Sequence, residues 1–377
     1  MPELTETITE RRRLTRNGIY HYLYEAETPR TKQDIAQALA LSMPTVHQNL
    51  SELMQAGLVE PGKLLRSTGG RRATGLVIAA NARFAVGVSI SQHHFRFLAS
   101  NLRMEEIAFQ KTAAFTLQDS TELGRILATA LEDFLDRFGL NRAKLLGVGI
   151  AVPGILDAAG QNILFAPTLR LRGIPAAALT AGLPYPVYIA NDASAGGYAE
   201  WLAQKDRASL AYLSLENGVG GAVLLNGAPY EGLTNRSAEF GHICVEPNGR
   251  LCQCGKRGCL EAYCSAARLS DDLSISIEDF FAGLEAHNPT HETIWRDYLQ
   301  HLALGIHNIR MVLDCPVVLG GFLTQYMGPC LPELGRMVAA LSPFGADSSA
   351  VRLCRYPKRA LPLGVALHYI TEFVETL

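Results

Sequence analysis

Residues 251–264 read LCQCGKRGCLEAYC and concentrate half of the chain's eight cysteines in fourteen positions. Cys252, Cys254 and Cys259 offer three soft ligands on a loop that also carries Gly255 and Gly258. Glycine permits the positive-φ turns that aim several side chains at one centre. The nearest upstream histidine is His242, in the phrase EFGHICVEP. Three thiolates and one imidazole make a common tetrahedral zinc set. Two other readings stand beside it, free buried thiols and a redox pair. A Cys-x-Cys pair is an awkward disulfide, and the spacing is not Cys-x-x-Cys. Ligand spacing therefore favours one structural Zn2+ per chain on His242, Cys252, Cys254 and Cys259. Cys264 falls outside the loop, on a helix predicted to begin near Leu260, where packing is its expected role. Cys244, Cys315, Cys330 and Cys354 are scattered and are expected to fill core.

The frame around this loop is a chain of 377 residues, 48% hydrophobic and 19% charged, with a net charge of −2. That length suggests two or three domains, and that composition is globular, neither disordered nor fibrous. The N-terminal stretch MPELTETITERRRLTR is charged and has no apolar h-region, so no signal peptide is expected. The longest apolar run, LLGVGIAVPGIL at 145–156, is too short and too broken by Gly and Pro to span a bilayer. A cytoplasmic protein without a membrane partner is expected, in a compartment where lasting disulfides are rare.

Two short helices are predicted within TKQDIAQALALSMPTVHQNLSELMQA, 31–56. Thr31 and Asp34 have capping-box spacing, Ser42 is a second N-cap, and Pro44 suits a first turn. Val46, Leu50 and Leu53 share one face. Thr45, Gln48 and Ser51 point the other way, as short polar groups able to read base edges. A basic, Gly-flanked stretch follows, PGKLLRSTGGRRATG, in which Arg71 and Arg72 suit insertion into a minor groove. This order fits a winged helix-turn-helix over residues 1–82 that binds double-stranded DNA. Charge supports it mildly, with ten Lys/Arg against eight Asp/Glu in residues 1–80. The bland alternative is a helical packing domain with a solvated basic loop.

From residue 83 the pattern turns to glycine-punctuated strands. FAVGVSI and FRFLASN read as a hairpin, 121–138 as an amphipathic helix, and KLLGVGIAVPG as a buried strand. PVYIAND and LAYLSL read as further buried strands, CPVVLGG as a strand and turn, and 296–313 and LPLGVALHYITEFV as helices. Strands interleaved with helices give an α/β class in two lobes, with ligands expected at strand ends. The predicted division is 83–190 plus 360–377 for a first lobe and 191–359 for a second that carries the cysteine loop and a dimerisation surface. No internal repeat is evident.

The phrases GIAVPGILD, IANDASAGGYAEW, NGVGG, AEFGH, CQCGKRGCLE and VVLGG occur in an order that resembles the ROK family of bacterial sugar-responsive repressors and sugar kinases. The resemblance covers roughly 83–377 and implies an actin-like, ribonuclease-H-like fold. A preceding winged helix is similar to the regulator branch. The family's zinc ligands fall on the same His242 and three cysteines. Its sugar ligands fall on Asn191, Asp192, Glu239, His242 and Glu261. Carboxylates accept vicinal hydroxyls of a hexose in charge-assisted hydrogen bonds, and a metal-held imidazole keeps its other ring nitrogen for a ligand.

Family kinases open this domain on a D-x-G-x-T hairpin whose Asp serves the metal and whose glycines let backbone N–H groups cradle phosphate. Here Ser89 stands at the Asp position, Ser91 and Gln92 at the glycines, and His93 at the Thr. Without that cradle Mg–ATP has poor purchase, and Asp192, the place of a general base, is left as a vestigial candidate. Thr168 and Arg170, where the family tends to have an Asn-Leu-Gly, leave the sugar unidentified. The expected function is a sugar-responsive transcriptional regulator, read as a repressor, with no catalytic activity. Its expected partners are an inverted-repeat operator, a sugar or sugar-phosphate effector and a second copy of the chain, as a homodimer or tetramer. An active ATP-dependent sugar kinase with an accessory DNA-binding domain is the alternative.

Overall fold

A computed structural model describes residues 8–64, 74–114, 122–169, 171–345 and 350–377. The chain opens with three helices, α1 (Ile8–Glu25), α2 (Lys32–Ala38) and α3 (Met43–Gln55), then an antiparallel pair, β1 (Val59–Leu64) and β2 (Thr74–Ile78). The capping box on α2 is formed in both directions, Asp34 N to Thr31 Oγ1 at 3.1 Å and Thr31 N to Asp34 Oδ2 at 2.7 Å. Ser42 caps α3 through Thr45 N at 3.3 Å, with Pro44 in the first turn. Val46, Leu50 and Leu53 are buried, each contributing about 1.5–3 kcal/mol of transfer free energy. The sequence reading did not anticipate α1, whose Ile19, Tyr20 and Leu23 complete the same core.

Two five-stranded sheets follow, with the same plan. The first is β3 (Phe84–Ile90), β4 (Phe95–Asn101), β5 (Glu106–Lys111), β6 (Leu145–Val152) and, after a small sheet of β7 (Ile155–Leu156), β8 (Asn162–Ala166) and β9 (Leu171–Pro175), β10 (Val187–Asn191). The second is β11 (Leu210–Leu215), β12 (Val219–Leu225), β13 (Ala228–Pro229), β14 (Val317–Gly320) and β15 (Val351–Leu353). In each, the first three strands form an antiparallel meander, the fourth pairs in parallel with the first, and the fifth pairs in parallel with the fourth. The two sheets are thus a topological repeat that their sequences do not display.

The helices after the N-terminal three are α4 (Glu122–Arg137), α5 (Ala177–Thr180), α6 (Asp192–Leu202), α7 (Glu261–Cys264), α8 (Ile277–Glu285), α9 (Pro289–Leu313), α10 (Leu331–Leu341) and α11 (Ala360–Thr376). Alternation along β3 decides which helix covers which face. Phe84, Val86, Val88 and Ile90 pack towards α4, whereas Ala85 and Gly87 face α11. A Cβ on Gly87 would lie 1.6 Å from the Pro362 carbonyl oxygen, and one on Gly364 would lie 1.8 Å from that of Ala195. Helix α11 is therefore pressed between the first sheet and α6, and α6 in turn reaches the second sheet through Gly197 against Ala222.

Two expectations are corrected. The strand PVYIAND is β10, half-buried along its whole length because it is the edge of its sheet. Cys244 is exposed, since it lies in the loop bridged to Cys259, while Cys264, Cys315, Cys330 and Cys354 are buried. Among the described residues no helix is long and apolar enough to cross a membrane.

Candidate ligand cleft and metal centre

Asn191, Asp192, Glu239, His242 and Glu261, distant in sequence, all line one cavity of about 660 Å³ between the two sheets. Asn191 ends β10 and caps α6, accepting from Ser194 N at 2.9 Å, while its amide donates to the Gly154 carbonyl at 3.0 Å. Its side chain is thus already committed to the local backbone. Asp192 begins α6 and accepts from Ala193 N at 2.8 Å. Burial pushes its carboxyl up to about 7, and the carboxylates of Glu216 and Glu239 add to that shift. Glu239 is also raised, by burial first, against the lowering effect of His242.

Glu261 opens α7 and accepts from Val219 N at 3.1 Å. That approach needs Gly218, because a Cβ there would lie 2.8 Å from Glu261 Oε2. The glycine phrase and the AEFGH phrase interlock in the same way. A Cβ on Gly221 would meet Phe240 at 2.3 Å, and one on Gly241 the Val219 carbonyl oxygen at 2.1 Å.

Behind Glu261, the ligand atoms of His242, Cys252, Cys254 and Cys259 all lie within 4.8 Å of one another. Cys252 Sγ is 3.8 Å from His242 Nδ1, and Cys254 Sγ is 3.7 Å from Cys259 Sγ. A tetrahedron with metal–sulfur bonds of ~2.3 Å has edges of roughly 3.7–3.8 Å. The four groups therefore fit a metal ion. Gly255 and Gly258, at φ 87° and 81°, give the loop its turns. Cys252 Sγ also lies 3.4 Å from Glu261 Oε1, so the cluster abuts the cavity directly.

At the opposite side of the cavity, the hairpin of β3 and β4 is closed by its own atoms. Ser91 Oγ accepts from His94 N at 3.1 Å and donates to the His94 carbonyl at 3.0 Å, while Ser91 N donates to that carbonyl at 2.9 Å. Ser89 is buried beside it, across the hairpin from Arg96. Arg96 reaches over the cleft to Glu216, with Nη2 3.3 Å from Oε2. Neither Arg96 nor Glu216 was singled out from sequence. Glu216 immediately precedes the NGVGG turn, which was the signal available. Ser214, two residues back on β11, also lines the cavity, and its buried hydroxyl has no partner among the described residues. Thr168 lines the cavity, and Arg170 lies outside the described residues.

Of the residues assigned to DNA, Gln48 is exposed on α3 and Thr45 and Ser51 are half-buried beside it. Exposed His47, not anticipated, shares that surface. Arg71 and Arg72 lie outside the described residues, between β1 and β2.

The ROK family profile matches residues 85–349. The chain belongs to the ROK family. Among ROK relatives, it is 26% identical over 347 residues to the xylose repressor of Bacillus spizizenii, covering 86% of this chain and 90% of that protein. It is also 26% identical over 246 residues to the DNA-binding transcriptional dual regulator NagC of Escherichia coli, covering 64% of this chain and 60% of NagC. A crystal structure of a ROK family transcriptional regulator, homolog of the E. coli MLC protein, superposes with a TM-score of 0.75 at 20% identity over 97% of both chains. A ROK family glucokinase from Streptomyces griseus, in complex with glucose and AMPPNP, superposes at 0.64 and 20% identity over 98% of its own length but 76% of this chain. Both likenesses establish the two-lobed α/β fold.

Proposed function

We propose that this ROK protein is a sugar-responsive DNA-binding transcriptional repressor rather than a kinase. One observation carries the reading. A capped helix pair with an exposed polar face precedes a ROK domain whose phosphate hairpin has Ser89 for the metal-binding acid and spends its backbone groups on Ser91. The names of its relatives, a xylose repressor and a DNA-binding transcriptional dual regulator, support it. The reading divides the chain into a winged helix-turn-helix (1–82), a first lobe (83–190 plus 360–377) and a second lobe (191–359) that carries the metal loop and the dimer surface.

In this reading α3 enters the major groove with Thr45, Gln48 and Ser51 at base edges, and Arg71 and Arg72 follow the minor groove. One recognition helix covers few bases, so a symmetric dimer on an inverted repeat is the minimal DNA-binding unit. The protein acts in the cytoplasm, where its operator lies.

The effector, a sugar or sugar phosphate, sits in the interlobe cavity. Asp192, Glu239 and Glu261 accept its hydroxyls, with Asn191 orienting α6 beneath it. Zn2+ is the ion the cluster suits, held by His242 Nδ1 and the thiolates of Cys252, Cys254 and Cys259. Bound there it supplies charge and a fixed ring orientation, leaving His242 Nε2 for the effector.

Operator binding measured by fluorescence anisotropy with and without candidate sugars tests the reading directly. A protein with no sequence-selective DNA affinity would refute it. The kinase alternative draws on Asp192, placed in the cavity where a base would act. Steady turnover of a hexose with Mg–ATP, on the order of 1 s⁻¹ or more, would establish that alternative instead.

A further inference from the structure

We propose that Glu216 is a resident anion, its carboxylate filling a site on the far side of the cleft whose donor set suits phosphate. Glu216 follows β11 of the second sheet, and its two oxygens are held from two directions. Arg96, on β4 of the first sheet, donates Nη1 to Oε1 at 3.4 Å and Nη2 to Oε2 at 3.3 Å. Phe322 N, just after the Gly320–Gly321 turn that ends β14, donates to Oε1 at 3.1 Å. A paired guanidinium and a converging backbone N–H recognise carboxylate and phosphate oxygens by the same geometry.

Burial strengthens the case. The Arg96 and Glu216 side chains are only 16% and 19% exposed, so the pair is largely stripped of water. Removing one member of such a pair leaves the other desolvated and uncompensated. Lys111 and Lys358 line the same cavity and make no ion pair among the described residues. With Glu216 gone, Arg96 and the Phe322 N–H are left as donors without their acceptor, in a cavity that Lys111 and Lys358 line together with the carboxyls of Asp192, Glu239, Glu261 and Glu278. Glu216 thus keeps inorganic and nucleotide phosphate out of a space whose donors would otherwise hold them. The same pair spans from the first sheet to the second and so clasps the lobes.

The experiment is thermal melting of the full-length protein titrated with inorganic phosphate against chloride at matched ionic strength. Wild type is expected to show no phosphate-specific stabilisation. Glu216→Ala is expected to gain a saturable rise in Tm of a few degrees, as a ligand bound only to the folded state requires. The double variant Arg96→Ala, Glu216→Ala is expected to lose that gain. Glu216→Gln keeps the shape and the acceptor for Phe322 N while releasing Arg96, and is expected to show a weaker gain. It serves as the folded comparison if Glu216→Ala misfolds. Equal responses in wild type and both Glu216 variants, or a gain that survives loss of Arg96, would overturn the proposal. Neither result bears on operator or sugar binding, which this assay does not read.

Discussion

Arg103, in the loop after β4, donates Nη2 to the Leu23 carbonyl at 3.2 Å, near the C-terminus of α1. Its Nη1 also donates to the Tyr24 carbonyl, and its guanidinium lies 5.6 Å from the centre of the Tyr24 ring. The last carbonyls of a helix have no partners within it, and a cation there also favours the helix dipole. The N-terminal helices are thereby fixed to the first sheet at their base. Arg103→Ala is expected to lower stability by about 1–3 kcal/mol, since hydrogen bonds from a charged donor are lost. Chemical denaturation checks this, and an unchanged midpoint would show the contact to be incidental.

Metal content is the second test. Purified protein is expected to hold one zinc per chain, with sulfur neighbours at ~2.3 Å in X-ray absorption. Cys254→Ser should lose the metal, and because Cys252 touches Glu261, the sugar response should go with it. Retention of both would place the metal elsewhere.

The pH dependence follows from Asp192, whose folded pKa of about 7 lies above its ordinary 3.8. The folded state then holds the proton that the unfolded state has released. This contribution to stability is full below the unfolded pKa and declines as pH rises through 7. Sugar hydroxyls favour the ionised form, so affinity should tighten about tenfold from pH 6 to pH 8 by the same linkage. Calorimetric titration of wild type and Asp192→Asn decides it, and an equal pH dependence in both excludes Asp192 as the group.

On DNA, Gln48→Ala is expected to cost ~1–3 kcal/mol on the cognate operator and to relax sequence preference. A competition assay with base-substituted operators reads both effects. Wild-type discrimination in the variant would remove Gln48 from the base-reading face.

Glu239→Ala is expected to abolish the sugar response and leave operator affinity in the absence of sugar intact, because Glu239 lies in the cleft and not on α3. Anisotropy with a sugar that binds wild type is the measurement. An equal shift of operator affinity in the variant would mean the effector site is misassigned.

Local chemistry was legible in the sequence. The capping box at Thr31 and Asp34, the hairpin of β3 and β4, and the clustering of Cys252, Cys254 and Cys259 all depend on residues close to one another in sequence. The convergence of Asn191, Asp192, Glu239, His242 and Glu261 on one cavity rested on family resemblance, because no periodicity links such distant segments. Arg96 and Glu216 are 120 residues apart, and nothing local marks two charges as partners. The half-buried edge strand β10 reads like a core strand because apolar composition does not reveal a missing neighbour. The repeated sheet plan went unseen because topology constrains which faces are apolar, and many different residues satisfy that.

The hydrophobic core of the N-terminal unit does not stop at its boundary. Ile19, Tyr20, Leu23 and Leu76 are continuous with Ala85 and Leu98 of the first sheet and with Leu363, Leu367, Ile370 and Val374 of α11. A module joined by a flexible tether can be cut off and exchanged, and each part then folds as before. Here a chain shortened to its ROK domain would expose an apolar face of leucine and isoleucine side chains to water, inviting aggregation. Exchanging the N-terminal unit for that of a relative would require matching this shared seam as well as the exposed face of α3. The unit and the first lobe are consequently expected to melt together, and under the proposed function operator specificity is expected to change more readily through substitutions on the surface of α3 than by recombination at the junction.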